Sequence, residues 1–179
     1  MNYKHIQLPL SKLMLVRCVQ AMPVCSLVRY TPCVMLVIFA CSTRSARRSS
    51  RRCLWLTGQV IFYAGPTPPK AGRPFGAIGP TTSSRMDFAA PLLMSMGLTG
   101  TIGKGERSDD VKKACKEYSS VYFVATGGAA AFLAKCVVGD ETLAYDDLGT
   151  EALRRIDVVD LPVFVGIDTL GTSIYSLED

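Results

Sequence analysis

Two glycine-rich loops carry the residues whose types and spacing best suit the binding of a small anion. The first, Gly79-Pro-Thr-Thr-Ser-Ser-Arg85, combines hydroxyl groups and a guanidinium directly before a predicted helix, and helix N-termini attract anions. The second, Gly103-Lys104-Gly105, places an ammonium between glycines at the end of a predicted strand. Since an arginine fork matches a carboxylate, Arg85 and Lys104 would hold both ends of a small dicarboxylate, with a threonine hydroxyl between them.

A plainer interpretation of these loops stays open from the residues alone. The first loop would then be a capped turn, and the second a β-turn with a solvated lysine. Neither is a nucleotide-binding P-loop, because the pattern GxxxxGK[ST] is absent and Lys104 is followed by Gly105. The dinucleotide pattern GxGxxG is absent as well.

The elements that must position these loops alternate between strand and helix from Thr57 onward. In the second helix, which Ser108 caps, Val111, Ala114, Cys115 and Tyr118 form one apolar face. Strands are predicted over residues 59–64, 98–102, 121–125, 161–168 and 173–176, and further helices over 87–96, ended by Gly97, and 129–135. This alternation predicts an α/β domain.

The segment Leu13–Leu56 differs in composition from the rest of the 179-residue chain, whose net charge is +5. It contains no Asp, Glu, Lys or His, but it has five of the seven cysteines and the only tryptophan. Its seven arginines are residues 17, 29, 44, 47, 48, 51 and 52. Two chemically different kinds of sequence are therefore joined in one chain.

Ordinary functions do not account for this segment. The apolar run Cys33–Cys41 is less than half the roughly 20 residues that span a bilayer, and the basic residues around it do not fit a signal peptide. The cysteines lack the close spacing of a metal site, and His5 is the only histidine. Basic runs are more often solvated surface than phosphate sites. We expect no membrane attachment, no metal in this chain and no nucleic-acid partner.

Several motifs after Thr57 resemble the β subunit, or C-terminal domain, of class I fumarases, an iron–sulfur hydro-lyase family that includes L(+)-tartrate dehydratase β subunits. The resemblance covers roughly Thr57–Tyr175 in order, and the GPTTSxRMD and GKG signatures are its most specific parts. The matching stretches are YAGPTPP (63–69), IGPTTSSRMD (78–87), IGKGERS (102–108), ATGGAAA (125–131), DLG (147–149) and VGID (165–168).

The resemblance implies a swivelling β/β/α-type domain that closes over a [4Fe–4S] cluster held by a partner α subunit. The enzyme would hydrate or dehydrate a C4 dicarboxylate, either fumarate/malate or L-tartrate. Thr81 would act as the base at the substrate carbon, while Arg85 and Lys104 would bind the carboxylates. Thr82 and Gly79 of the same loop would also contact substrate. A cytoplasmic hetero-oligomer is implied.

One family segment is missing from this chain. The family carries a stretch like (S/T)GT-(hydrophobic)-YTxRDAAH upstream of the AGPTP strand, and its arginine contributes to the substrate site. If the codons of Ser26–Phe39 are read from the third base of the Ser26 codon, they permit TGTVYTVRDAGH. We interpret residues 13–56 as a frameshifted stretch between a family-like start, residues 1–12, and the hydro-lyase domain, residues 57–179. A genuine divergent insert is the alternative.

Three functional hypotheses follow. The first is an active β subunit. The second is a catalytically impaired β-type remnant that only binds its α partner, because the Arg-Asp-x-x-His segment is absent. The third, a small basic membrane-attached protein, rests only on residues 13–56.

An out-of-frame segment would also leave the sheet without its first family strands and with one edge open.

Overall fold

The computed structural model describes residues 4–6, 27–30, 33–37 and 56–176, and the first three of these ranges in backbone only. The described elements form an α/β domain, as predicted. The strands are β1 Lys4–Ile6, β2 Leu27–Tyr30, β3 Cys33–Val37, β4 Val60–Phe62, β5 Ala64–Pro66, β6 Ile78–Pro80, β7 Gly100–Gly103, β8 Val121–Val124, β9 Val137–Ala144, β10 Leu153–Val158 and β11 Leu161–Ile167. The α-helices are α1 Ala90–Ser95, α2 Asp109–Tyr118 and α3 Ala130–Leu133.

A mixed sheet organises the domain. Its order is β1-β2-β11-β8-β7-β4-β3-β10-β9, and β5 pairs separately with β6. The central strands β8, β7, β4 and β3 are mutually parallel, whereas β11 and β10 join them in antiparallel register. The carboxyl ends of the four parallel strands therefore meet at one edge, where α/β sheets commonly bind ligands.

Both faces of the sheet are covered by apolar contacts. On one face, Met94 of α1 and Val111 and Cys115 of α2 pack with Tyr122 and Ile167. The other face buries a larger cluster that includes Phe62, Ile102, Phe123, Ile78 and Leu133 of α3. Because successive strand residues point to opposite faces, neighbouring residues such as Tyr122 and Phe123 enter different clusters.

Most predicted elements are confirmed, with corrected boundaries. Helix α2 begins directly after Ser108 and buries Val111, Ala114 and Cys115, as its spacing predicts. The prediction of a helix over 87–96 was too long. A 3-10 helix at Ser83–Met86 comes first, and α1 begins at Ala90, next to a proline that favours a helix start.

One other prediction was wrong, and two strands were missed. Residues 174–176 form a 3-10 turn rather than a strand, and only Ser173 bridges to Ile167. Strands β9 and β10 were missed, since charged residues interrupt their apolar pattern. Those charged side chains pair across the β9–β10 hairpin, as Arg154 does with Asp140. The pairing stabilises two strands that carry polar side chains on one face.

We expected the sheet to lack strands from the Arg-rich segment, and that expectation was wrong. Strand β2 pairs with β1 and β11, and β3 lies between β4 and β10. The physical reason is composition, because the β3 sequence Cys-Val-Met-Leu-Val is rich in residues that favour strands. The remainder of residues 13–55 lies outside the described residues. No helix among those described is long and apolar enough to cross a membrane.

Cys115 provides a first prediction. Burial raises the pKa of its thiol to about 12, and alkylating reagents attack the thiolate. At pH 8 iodoacetamide should therefore leave Cys115 unmodified in the folded chain and modify it fully in guanidinium chloride. Mass spectrometry of the peptide that contains α2 measures both states. Rapid labelling under native conditions would show that this helix opens readily.

Candidate functional site

The candidate site lies beyond the carboxyl ends of the parallel strands and is assembled by backbone hydrogen bonds. The Thr81 N–H donates to the Tyr63 carbonyl at 2.8 Å, just after β4. The Lys104 N–H donates to the Thr81 carbonyl at 3.1 Å, and the Ser83 N–H donates to the Lys104 carbonyl at 2.9 Å. Thr82 and Lys104 thus form a parallel bridge. The two glycine-rich loops are neighbours in space, as their chemistry requires.

The predicted site residues occupy this edge with graded exposure. Thr81 and Thr82 are half-buried, while Lys104 is exposed at the end of β7. Arg85 is also exposed and lies on the 3-10 helix that follows the threonines. Neither cation forms an ion pair with any residue in the described parts of the chain. Two positive groups are therefore available to an anionic ligand.

Glycine is required at two places in these loops. A Cβ on Gly103 would overlap the Ser83 hydroxyl, because the two loops approach so closely there. Gly105 has φ of +83°, a left-handed conformation that favours glycine. Gly79 allows the first loop to pack closely against α3, because a Cβ built on it would lie only 3.0 Å from the Ala130 methyl group. These glycines let the site loops pack against each other and against α3.

The Gly127-Gly128 loop after β8 completes this edge of the site. A Cβ built on Gly127 would lie 3.5 Å from Cδ and 3.8 Å from Nζ of Lys104. The lysine side chain therefore extends across this exposed loop. The third glycine-rich stretch of the sequence, ATGGAAA, is thereby placed beside the second.

A buried tyrosine connects the two main loops from below, and sequence reasoning missed it. The Tyr122 hydroxyl lies 2.8 Å from the Gly105 carbonyl and 3.0 Å from Oγ of Ser83. A phenol has one proton, so it donates to Gly105 and accepts the Ser83 hydroxyl proton. Burial raises the pKa of Tyr122, although the Ser83 hydrogen bond and Arg107 oppose this. The phenol therefore stays neutral and keeps its donor proton.

Arg107 and Asp87 were also missed, although both lie inside the motifs quoted above. Arg107 is 3% exposed, three residues after the exposed Lys104. Burial lowers the pKa of the Arg107 guanidinium, but interactions with Tyr63 and Asp87 raise it by more than burial lowers it. The net pKa is therefore above the ordinary value. The sequence signal that could have identified Arg107 is its position two residues after a glycine-rich loop. Its burial, however, depends on tertiary neighbours.

With this geometry in place, the family can be stated. The family model described as Fumarase C-terminus matches residues 45–177, and the chain belongs to this family. The chain is 42% identical over 118 residues to "Fumarate hydratase 2" of Leishmania major, which covers 65% of this chain and 21% of that protein. It is 41% identical over 123 residues to "Fumarate hydratase class I, anaerobic" of Escherichia coli, which covers 68% and 22% respectively.

A relative of a second kind is shorter. The "Putative L(+)-tartrate dehydratase subunit beta" of Methanocaldococcus jannaschii is 35% identical over 126 residues, which covers 67% of this chain and 65% of that protein. The resemblance inferred from the motifs is thus confirmed. The chain spans about a fifth of the length of the fumarate hydratases that it matches.

Proposed function

We propose that this chain is the β component of an iron–sulfur hydro-lyase that reversibly hydrates a C4 dicarboxylate. The single observation that carries the proposal is the parallel bridge between Thr82 and Lys104, which joins the two loops. It brings Thr81 beside a cationic loop, with a second cation, Arg85, on the following 3-10 helix. Two unpaired cations and hydroxyl groups are suited to a ligand with two carboxylates.

The substrate we favour is fumarate in one direction and malate in the other. The two fumarate hydratases quoted above, at 42% and 41% identity, are more similar to this chain than the tartrate dehydratase β subunit at 35%. Arg85 would bind one carboxylate through its fork and Lys104 the other as a point charge. Thr82 and Gly79 would line the loop between them. L-tartrate stays the alternative substrate.

Thr81 would carry the proton-transfer step. In the dehydration direction its deprotonated oxygen removes a proton from the carbon next to a carboxylate, and that carboxylate takes up the electron pair as an enediolate; the pair then returns to form the carbon–carbon double bond as the hydroxyl leaves the neighbouring carbon. A cation on the same carboxylate stabilises the added charge. A threonine hydroxyl is a very weak acid, so the role needs cations close enough to lower its pKa. The Lys104 backbone bonds directly to Thr81, and its ammonium is the cation we assign to this role.

The cluster would belong to a partner rather than to this chain. Within the part of the chain that the structure describes, no three His, Cys, Asp or Glu side chains converge as metal ligands. Cys115 and Cys136 are buried in clusters on different faces of the sheet. These residues do not fit a [4Fe–4S] cluster, so none of the steps above passes through it. A cytoplasmic hetero-oligomer with an α subunit would supply it.

The test of this function is an activity assay on the complex made with the frame-restored chain, in which Ser26–Ile38 read TGTVYTVRDAGH, because the chain as written is expected to have little activity. The chain is combined anaerobically with an α-type subunit that has cluster cysteines, and fumarate, malate and L-tartrate are assayed separately. We expect hydration of fumarate and dehydration of malate at the highest kcat/KM. Turnover of L-tartrate alone would transfer the assignment to that substrate. Absence of turnover with all three would contradict the proposal, provided that the complex forms and contains its cluster.

Removal of either cation should impair the active complex strongly. We expect Arg85→Ala and Lys104→Ala each to lower kcat/KM at least about 30-fold, because a substrate carboxylate would lose its charged partner in the closed site. Lys113→Ala is the matched control, since this exposed lysine pairs with Asp110 on α2. Steady-state kinetics on malate measure all three variants. Wild-type kinetics in either loop variant would remove that residue from the site.

A prediction about iron follows from the same proposal. Purified alone and treated anaerobically with iron and sulfide, the chain should acquire no iron–sulfur cluster. Metal analysis and visible absorbance measure this, and the complex with the α subunit is the positive control. Stoichiometric iron in the isolated chain would contradict the assignment of the cluster to a partner.

The second candidate function is a remnant that binds the α subunit without turnover. The observation that favours it is the absence of an Arg-Asp-x-x-His segment from residues 13–56. Co-purification with the α subunit is expected for both candidates. Activity of the loaded complex separates them, because only the first candidate turns substrate over.

A further inference from the structure

The side chain of Arg107 is enclosed between two tyrosine rings beneath the site loops. Its guanidinium carbon lies 4.9 Å from the ring centre of Tyr122 and 5.5 Å from that of Tyr63. Both rings are fully buried; Tyr122 is the second residue of β8, and Tyr63 directly follows β4. A charge so removed from water requires close partners, because its desolvation is costly.

Those partners join the two loops at a second point. Nε of Arg107 donates to Oδ1 of Asp87 at 2.6 Å, and Nη1 donates to Oγ1 of Thr101 on β7 at 3.1 Å. The second carboxylate oxygen of Asp87 accepts the Ser108 N–H at 2.7 Å. Asp87 lies two residues after the first loop, and Arg107 and Ser108 lie two and three residues after the second. One carboxylate therefore binds both a side chain and the backbone of the opposite loop.

Two contacts, the Thr82–Lys104 bridge and the Arg107–Asp87 junction, lie on either side of the site cations. The first loop is tied to the second at Thr82 and again at Asp87, and Arg85 lies in the short 3-10 helix between these points. The second loop is tied at Lys104 and again at Arg107. Any change at the Arg107–Asp87 junction would alter how Arg85 is held relative to Lys104.

We propose that Arg107 is a positioning residue, which through Asp87 sets the separation of Arg85 and Lys104 and so the fit of the site to a dicarboxylate. The part that concerns the substrate rests on the function proposed above. Arginine is required because its planar fork reaches Asp87 and Thr101 together from between the rings. A lysine keeps the charge but offers one compact donor group.

The test compares Arg107→Lys with a matched control, Arg154→Lys. Arg154 also pairs with a carboxylate, that of Asp140, and lies 5.7 Å from the ring centre of Phe75, but it belongs to the β9–β10 hairpin. In the complex with the α subunit, Arg107→Lys should raise KM for malate and lower kcat/KM at least tenfold. Arg154→Lys should leave both constants within about twofold.

Hydrogen exchange supplies a readout that does not depend on activity. In the full chain, Arg107→Lys should speed exchange at the Ser83 and Lys104 amides, which bond across the loops, at least tenfold. The Val121 amide, which bonds to the Thr99 carbonyl at the opposite end of the strands, should be unchanged. A merely structural role would speed exchange at all three amides alike, and that result would overturn the proposal.

A second variant covers failure of the first to fold. Asp87→Asn keeps the shape of the side chain but cannot accept from both Arg107 and Ser108, so it should give the same local pattern of exchange and the same rise in KM. Unchanged exchange at the loop amides in both variants would also overturn the proposal. If the complex of the frame-restored chain has no activity, the proposed function fails, while the exchange measurements still decide whether Arg107 holds the loops together.

Discussion

Replacing Thr81 by valine should abolish turnover of the reconstituted complex while its association with the α subunit is retained. Valine keeps the branched shape, and the Thr81 backbone would still bond to Tyr63 and Lys104. The substitution therefore removes only the hydroxyl. Loss of a general base costs about 10²–10⁴-fold in rate, so kcat should fall at least a hundredfold. Steady-state kinetics and size-exclusion chromatography of the complex measure the two properties.

The neighbouring threonine provides the control for this prediction. Thr82→Val changes the same kind of side chain in the same loop, one residue further along, and should affect KM more than kcat. Thr81→Ser should retain measurable turnover because it restores the hydroxyl. Near-normal kcat in Thr81→Val would mean that the base is another residue, with Thr82 the first to test.

The second large effect concerns the Arg-rich segment. We propose that the part of residues 13–56 that precedes the family match at residue 45 is out of frame, so the chain as written should have little hydratase activity even with its α partner. Restoring the frame, so that Ser26–Ile38 read TGTVYTVRDAGH, should recover activity and solubility together. The apolar run around β3 should otherwise make the chain prone to aggregation.

The position of β3 shows where a restored segment would fall in the sheet. Strand β3 is parallel to β4, with Val37 beside Phe62, so the two strands end at the same edge. At that edge the Tyr63 carbonyl, just after β4, accepts a hydrogen bond from the Thr81 N–H. In the restored frame the histidine would fall at the end of β3, at this edge, whereas the arginine would fall at Cys33 or Val34, at the start of the strand and away from this edge.

Resequencing of both ends of the segment is the cheapest measurement. A chain carrying only synonymous codon changes is the control for expression effects. A confirmed reading frame, together with a soluble and active product from the chain as written, would contradict the frameshift and leave a divergent insert. Recovery of solubility without activity would instead favour the remnant that only binds its partner.

The sequence alone predicted which two loops lie together, because the candidate residues lie in contiguous stretches; their roles stay predictions. Thr81, Thr82 and Lys104 were expected to act together, and a direct backbone bridge joins their loops. Gly97 was expected to end a helix, and it follows α1 with φ of +105°. Local turn chemistry and the periodicity of α2 contain this information without any tertiary contact.

The parts that were missed depend on contacts between distant residues. Nothing in the sequence around Arg107 shows that it is buried, because its enclosure comes from Tyr63 and Tyr122 on two other strands. The β9–β10 hairpin was hidden by its charges, which become favourable only when Arg155 lies opposite Glu141. In both cases a polar side chain gains its partner only after the chain has folded.

The order of the strands has a consequence for folding. Strands β4, β7 and β8 with helices α1 and α2 come from one continuous stretch, residues 60–124, so this half of the domain needs only short loop closures. By contrast, β3 must meet β10 across more than a hundred residues. Long-range pairings of this kind are slow to form. The loops that contain Thr81 and Lys104 should therefore assemble early, and the joining of β10 and β9 to the sheet should limit the folding rate.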